Sequence, residues 1–402
     1  MFRAIPKKLF SESIVIVNAK RTPIGSFLGK LSSFHASDLG AAAIEGALLS
    51  SKVSKVEVDE VIMGNVIGAG LGQAPARQAS IKAGLPSSVV CTTINKVCSS
   101  GLKSVHFAAQ SIQTGNSKIV VAGGFESMSL VPHYLYIRKP FPWGEATMVD
   151  GIQFDGLTDS FNGMLMGNCA EKTIKDLNIS RQEQDEFCIA SYEKAIAASK
   201  SGLFAKEIIP LIIQDKKTKK EITISEDEEC QRFLRDKIPS LKPVFDKNGT
   251  ITAANASKNA DGGCALVLMS EKLAKEKNLK PIARIIGFAD SEIDSIDFSI
   301  APVSAMQKLS KNTGIDINNV DCFEINEAFS SVVLANIKLL GLNKEKVNIH
   351  GGAVALGHPI GMSGARIILS LINSLQVTNG RYGFASICNG GGGSSSICIE
   401  RI

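Results

Sequence analysis

The chain has 402 residues, 44% of them hydrophobic and 21% charged, with a net charge of +5. That length implies two or three domains around a large core, in the balance of a soluble globular protein. No run approaches the roughly 18 uncharged apolar residues of a membrane span, and so mild a charge does not mark a nucleic-acid binder. Nine cysteines lie scattered, with no CxxC pair and no metal spacing. A disulfide framework or zinc site is therefore not expected, and a reducing compartment is.

Met1 to Phe10 carries three basic residues and no acid precedes Glu12. Residues 1–13 read as a short mitochondrial leader or as the basic end of a cytosolic protein. Ile14 to Val17 is a β-branched run that predicts a buried strand. Residues 38–50 predict an Ala-rich helix, and Val58 to Gly64 another strand. At Asn95-Lys96-Val97-Cys98-Ser99-Ser100-Gly101 a strand-like segment turns into a helix predicted over Ser99 to Gln113. A cysteine there faces unpaired N–H groups and the positive end of the helix dipole, which favour the nucleophilic thiolate. A buried cysteine in a tight turn is the alternative. Lys118 to Ala122 predicts a strand that Gly123-Gly124 should end.

Residues 130–252 break this rhythm. They hold Trp143, several prolines and an amphipathic helix near 181–200. Lys216, Lys217, Lys219 and Lys220, soon followed by Asp227, Glu228 and Glu229, read as a solvated hairpin or as a weak field for an anionic ligand. The stretch reads as an insertion, a usual place for functional loops.

The second half echoes the first. Ile282 to Phe288 predicts an opening strand, and Val320 to Ile325 matches the Val58 strand. Asn326-Glu327-Ala328-Phe329 follows it, with an amide placed to hold a water or a carbonyl. His358 lies among the glycines of segment 351–364, with Pro359 fixing the chain after the imidazole. His106 reads as structural, and His350 has no clear task. Ser363 to Ile367 parallels Ser100 to Ser104 at a helix start. Tyr382 to Cys388 runs into Asn389 and the glycines 390–393, a plausible oxyanion loop or a flexible turn. Strands alternating with helices in both halves predict an α/β fold with a largely parallel sheet. No Rossmann fingerprint or P-loop is present.

Taken together, NKVCSSGLK (95–103), NEAF (326–329), GGAVALGHPIGMSG (351–364) and CNGGGG (388–393) resemble the thiolase family, in order and over nearly the whole chain from Ile14. They are most similar to its biosynthetic, mitochondrial acetoacetyl-CoA-forming branch. GLTD (156–159), TAANAS (252–257) and IAPV (300–303) extend the likeness. The resemblance implies two βαβαβαββ core halves in a five-layered αβαβα arrangement. The first half would be 14–129 plus 253–279, and the second 280–402. A loop domain, 130–252, would bind coenzyme A and make tetramer contacts.

The resemblance also implies roles. Cys98 would carry the acyl group, His358 accept its proton, and Cys388 act as the second acid/base. Asn326, through a water, would form one oxyanion hole with His358. The N–H groups of Cys98 and Gly390 would form the other. Ser257 would contact the pantetheine arm, Arg232 and Lys237 the nucleotide end, and Met166 the acyl pocket. Tyr192, with carbonyls of Ala253, Ala254, Ala256 and Val354, would hold potassium. The implied partners are acetyl-CoA, acetoacetyl-CoA and coenzyme A, in a homotetramer without nucleic acid or membrane. Leu165 stands where the family often has histidine, His350 where it often has asparagine, and Phe233 and Leu234 replace residues usual beside Arg232. A broad-chain 3-ketoacyl-CoA thiolase of β-oxidation is the nearest rival, against which the EDEE segment (226–229) counts. A decarboxylating ketosynthase would lack Cys388, and a non-catalytic scaffold would not need the catalytic set.

Overall fold

The computed structural model describes residues 12–138, 143–214 and 219–402. Residues 1–11 of the expected leader lie outside these, as do Lys216 and Lys217 of the lysine cluster. The described strands flanking that cluster, Leu211–Gln214 and Glu221–Ile224, pair as an antiparallel two-stranded sheet.

The main strands are β1 (Ile14–Arg21), β2 (Glu60–Gly64), β3 (Val90–Ile94), β4 (Ile119–Ser127), β5 (Ala260–Ser270), β6 (Ala283–Glu292), β7 (Cys322–Ile325), β8 (Tyr382–Asn389) and β9 (Gly393–Arg401). The main helices are α1 (Ala36–Ser51), α2 (Pro75–Lys82), α3 (Ser100–Gln113), α4 (Met166–Leu177), α5 (Arg181–Lys200), α6 (Ala301–Thr313), α7 (Ser330–Leu340) and α8 (Ser363–Thr378). Among the described residues the strands form one sheet in the order β7-β8-β9-β6-β1-β5-β4-β2-β3, with Gly25–Ser26 added against β5. Two half-sheets meet where β1 pairs with β6 over Ile14↔Ile285, Val15↔Arg284 and Ile16↔Ala283.

The expectation of a largely parallel sheet is corrected. Only β2–β3, β2–β4 and β7–β8 are parallel. β8 and β9 are joined by a tight glycine turn, which permits only antiparallel pairing. β5 arrives from the long insertion and runs antiparallel between β1 and β4.

Alternation along the strands creates the layers. Val120 and Ala122 of β4, with Leu266 and Leu268 of β5, face a central cluster. That cluster holds Leu102, Val105 and Ala109 of α3, much of α8, and Ala385, Ile387, Ile397 and Ile399 of the other half-sheet. The outward neighbours Ile119, Val121, Val267 and Met269 pack under α1 and α2. Met306 of α6 and Val333 of α7 cover Phe323, Phe384 and Cys398 on the far side. The result is αβαβα, with α3 and α8 in the middle layer. In the insertion, α4 packs against α7 and α5 starts at the Ser180–Glu183 capping box.

One strand boundary differs from expectation. Gly123 and Gly124 do not end β4, which continues to Ser127. A Cβ at Gly124 would lie 1.9 Å from the carbonyl oxygen of Gly361. The glycine therefore serves a close backbone approach between β4 and the segment after His358.

Candidate active site

Cys98 sits on a sharp connection between β3 and α3. Its predecessor, Val97, has φ of 47°, a strained value for a β-branched residue. Local bonds hold the turn. The Val97 N–H donates to Asn95 Oδ1 at 2.8 Å, and Ser100 Oγ donates to the Val97 carbonyl at 2.6 Å. Ser100 Oγ also accepts the Lys96 N–H at 2.8 Å. The residue is partly exposed. Desolvation around the thiol nevertheless pushes its pKa up to about 11, against the pull of N–H donors from Gly390 and from Cys98 itself. This corrects the expected thiolate: two donors do reach the sulfur, and burial outweighs them.

His358 comes next to this turn on a glycine-framed loop. Gly357, with φ of 100°, adopts a backbone conformation open to glycine and not to side-chain-bearing residues. Ile360 shares an apolar cluster with Cys98. The His358 Nδ1 and Ser363 Oγ are 2.6 Å apart, and Nε2 lies 3.4 Å from Asn326 Nδ2. Burial, then the positive Arg366, lowers the imidazole pKa to about 3. The Arg366 guanidinium donates to Asn326 Oδ1 at 3.4 Å. Asn326 is fixed beside β8, where its N–H donates to the Ser386 carbonyl at 3.0 Å.

Cys388 ends that same strand region. It is buried, and burial followed by the nearby Cys98 raises its pKa well above the usual thiol range. Met166, at the start of α4, packs in the same cluster as Cys388. A Cβ on Gly390 would lie 3.7 Å from Met166 Sδ and 3.6 Å from Val97 Cγ1. Thus Cys98, Cys388, Gly390, Met166, His358 and Asn326 converge from the ends of several strands and helices.

The remaining expected residues lie around this centre. The Ser257 N–H donates to the Ala328 carbonyl at 3.0 Å, joining its segment to Asn326-Glu327-Ala328. Tyr192 of α5 stacks on Phe233 at 4.8 Å. Arg232 is about half exposed and pairs with Glu228 at 2.7 Å. Lys237 is exposed, and Ala253 is exposed as well. Three of the four expected potassium carbonyls are already engaged. Lys258 Nζ donates to the carbonyls of Ala254 at 2.7 Å, Ala256 at 3.0 Å and Val354 at 3.0 Å. Among the described residues, no group of three or more His, Cys, Asp or Glu side chains is placed to hold a metal ion.

The model of the "Thiolase, N-terminal domain" family matches residues 14–272, and that of the "Thiolase, C-terminal domain" matches 279–401. The chain belongs to the thiolase family. It is 53% identical to the mouse protein named mitochondrial acetyl-CoA acetyltransferase, over 100% of this chain and 94% of that one. The human protein of that name is 51% identical, over 100% of this chain and 93% of its own. Among solved structures, the Ascaris suum Acat5 thiolase in complex with coenzyme A is 44% identical, with a TM-score of 0.92 over 97% of this chain and 100% of that chain. The Bacillus anthracis acetyl-CoA acetyltransferase is 39% identical, with a TM-score of 0.95 over 98% and 100%.

Several residues of this thiolase were not found from sequence. Glu126 accepts hydrogen bonds from Asn65 Nδ2 at 2.8 Å and from the N–H groups of Val66 and Gly361, each at 3.0 Å. It clamps the His358 loop to the first half, and burial raises its pKa to about 7. Glu327 does the same elsewhere, accepting from Ser191 Oγ at 2.7 Å and Val354 N–H at 3.0 Å. Ser363, Arg366 and Lys258 were also missed. A charged residue inside an otherwise small or apolar segment was the available signal for Glu126, Arg366 and Lys258.

Proposed function

We propose that this thiolase is an acetyl-CoA C-acetyltransferase, joining two acetyl-CoA into acetoacetyl-CoA and coenzyme A through an acetyl-Cys98 intermediate. The observation that carries this reading is the pair of thiols at one centre. Cys98 is met by two backbone N–H donors, and Cys388 is buried beside it. A Claisen condensation needs an acyl carrier, a separate base for a weakly acidic C–H, and donors for negative oxygen. The relatives named acetyl-CoA acetyltransferase support the same reaction and the short acyl chain.

The protons balance as follows. Cys98 Sγ forms a bond to the thioester carbonyl carbon while His358 takes the thiol proton. The tetrahedral oxygen rests against one set of donors, the C–S bond to coenzyme A breaks, and the leaving thiolate takes a proton from Cys388. That transfer makes the Cys388 thiolate, which burial disfavours in the resting protein. The thiolate then removes an α-proton from the second acetyl-CoA. The resulting carbanion attacks the acetyl carbon, and Cys98 leaves and recovers its proton from His358. In this scheme the N–H groups of Cys98 and Gly390 form one oxyanion hole. Asn326 holds a water that forms the other with His358, and Met166 bounds the acyl pocket. No tightly bound cofactor is needed.

The 130–252 insertion would present the coenzyme A surface, with Arg232 and Lys237 toward the nucleotide and Ser257 toward the pantetheine. A homotetramer is part of this reading. Its support is the exposed apolar side chains Tyr136, Ile137, Trp143 and Phe161 on that insertion. Mitochondrial placement rests on the basic N-terminus and on the relatives named mitochondrial. The deciding assay compares thiolysis of acetoacetyl-CoA with that of 3-ketohexadecanoyl-CoA. Strong preference for acetoacetyl-CoA is expected, and preference for the long chain would replace this reading with the β-oxidation one.

A further inference from the structure

The cradle expected for potassium contains a positive charge of the protein's own. An ammonium has three N–H donors. Those of Lys258 have three carbonyl partners, Ala254, Ala256 and Val354, at 2.7, 3.0 and 3.0 Å. The fourth side is an aromatic face, with Nζ 5.1 Å from the Tyr192 ring centroid. Three of the expected ligand carbonyls and the expected tyrosine therefore surround Nζ. A potassium ion would have to share these oxygens beside a like charge, so the residues present do not fit it.

The position of Lys258 joins the catalytic loops. Its backbone carbonyl accepts the His358 N–H at 2.8 Å. Its side chain holds Val354, in the short helical turn Ala353–Leu356 that leads to His358. It also holds Ala254 and Ala256, just before Ser257. The same segment bridges onward to Phe329, next to the loop of Asn326.

We infer that the Lys258 ammonium is a tethered cation that fills this cradle and fastens the 252–258 segment to the His358 loop, so that this thiolase needs no monovalent metal ion. Lys258 is a positioning residue in this arrangement, since it touches no reacting atom. The inference stands on the cradle geometry. Only its activity readout rests on the acetyltransferase reading.

The test compares wild type with Lys258→Ala and Lys258→Met in equimolar KCl and NaCl. The readouts are acetoacetyl-CoA thiolysis, thermal melting and thallium(I) binding by equilibrium dialysis. Wild type should differ less than about twofold in rate between the salts and bind no thallium. Lys258→Ala leaves room and should lose about tenfold or more in NaCl, melt lower, bind one thallium per chain, and recover in KCl. Lys258→Met fills the space without charge, so it should be slowed and stay slowed in KCl. If Lys258→Ala folds only in KCl, the inference is supported. If it folds in neither salt, Lys258→Met decides, and wild-type performance by that variant would overturn the inference. Saturable activation of wild type by potassium, or thallium bound to it, would overturn it too, as would a fully active, stable Lys258→Ala in NaCl. Should neither wild type nor either variant turn over acetoacetyl-CoA, the failure lies with the proposed reaction, and melting and thallium binding still judge Lys258.

Discussion

Burial sets the protonation of the side chains proposed for catalysis. With Cys98 raised to about 11 and His358 lowered to about 3, the resting pair is a neutral thiol and a neutral imidazole across the physiological range. In the proposed reaction, charge then develops only as the substrate is attacked, beside the N–H donors of Cys98 and Gly390. Alkylation of Cys98 by iodoacetamide, followed on its own peptide by mass spectrometry, should therefore climb about tenfold per pH unit from pH 7 to beyond pH 9. A plateau already at pH 7 would mean a preformed thiolate. The turn itself was legible, because Asn95, Ser99, Ser100 and Gly101 spell a strand-to-helix connection around one cysteine. The protonation was not, because desolvation depends on what the distant chain packs over the sulfur. Lys258 escaped for the same reason. One of its three acceptors, Val354, lies 96 positions away.

Elements from different halves are locked by side chains that no local pattern connects. Asp290 of β6 accepts from Lys103 Nζ of α3 and from Ser395 Oγ of β9, each at 2.5 Å, with His106 Nδ1 3.8 Å away. Burial alone would raise this carboxyl. His106, Lys103 and Ser395 outweigh that and hold it below the usual carboxylate range. A depressed carboxylate contributes stability that is present above its unfolded pKa of about 3.9 and is lost as pH falls through the folded value. Asp290→Asn leaves Lys103 without its counter-charge and should cost about 2 kcal/mol at neutral pH in urea unfolding. The gap between variant and wild type should shrink in acid, and a gap independent of pH would remove the ion pair from the account. His106 was read as structural from its helix position, and it is buried and stacked on Phe288 at 4.4 Å. The glycines of β4 were misread because a close approach by Gly361 and a strand end leave the same mark in a sequence.

Across the whole molecule, two family domains share one interior. The central cluster runs from Ile14 of β1 to Ile399 of β9 and includes both middle helices. The β1–β6 pairing adds a backbone seam across the boundary between residues 272 and 279. Calorimetric unfolding should accordingly give a single transition, and two well-separated transitions would show that the halves are independent. The repeat of two α/β halves could be read from matching segments, and the layering followed from resemblance. The seam, and the antiparallel return of β5 after the insertion, depend on long-range pairing that alternation cannot specify. The same assembly brings the strand ends at Cys98, Asn326 and Cys388 and the loop of His358 to one place. Incubating the protein with acetyl-CoA and locating the acetyl group by mass spectrometry tests that claim most directly. Wild type and Cys388→Ala should both carry the acetyl group on Cys98, since the coenzyme A thiolate can leave without an acid, and Cys98→Ser should carry none. An acetyl group on another residue, or equal loss of acylation in both variants, would contradict the account.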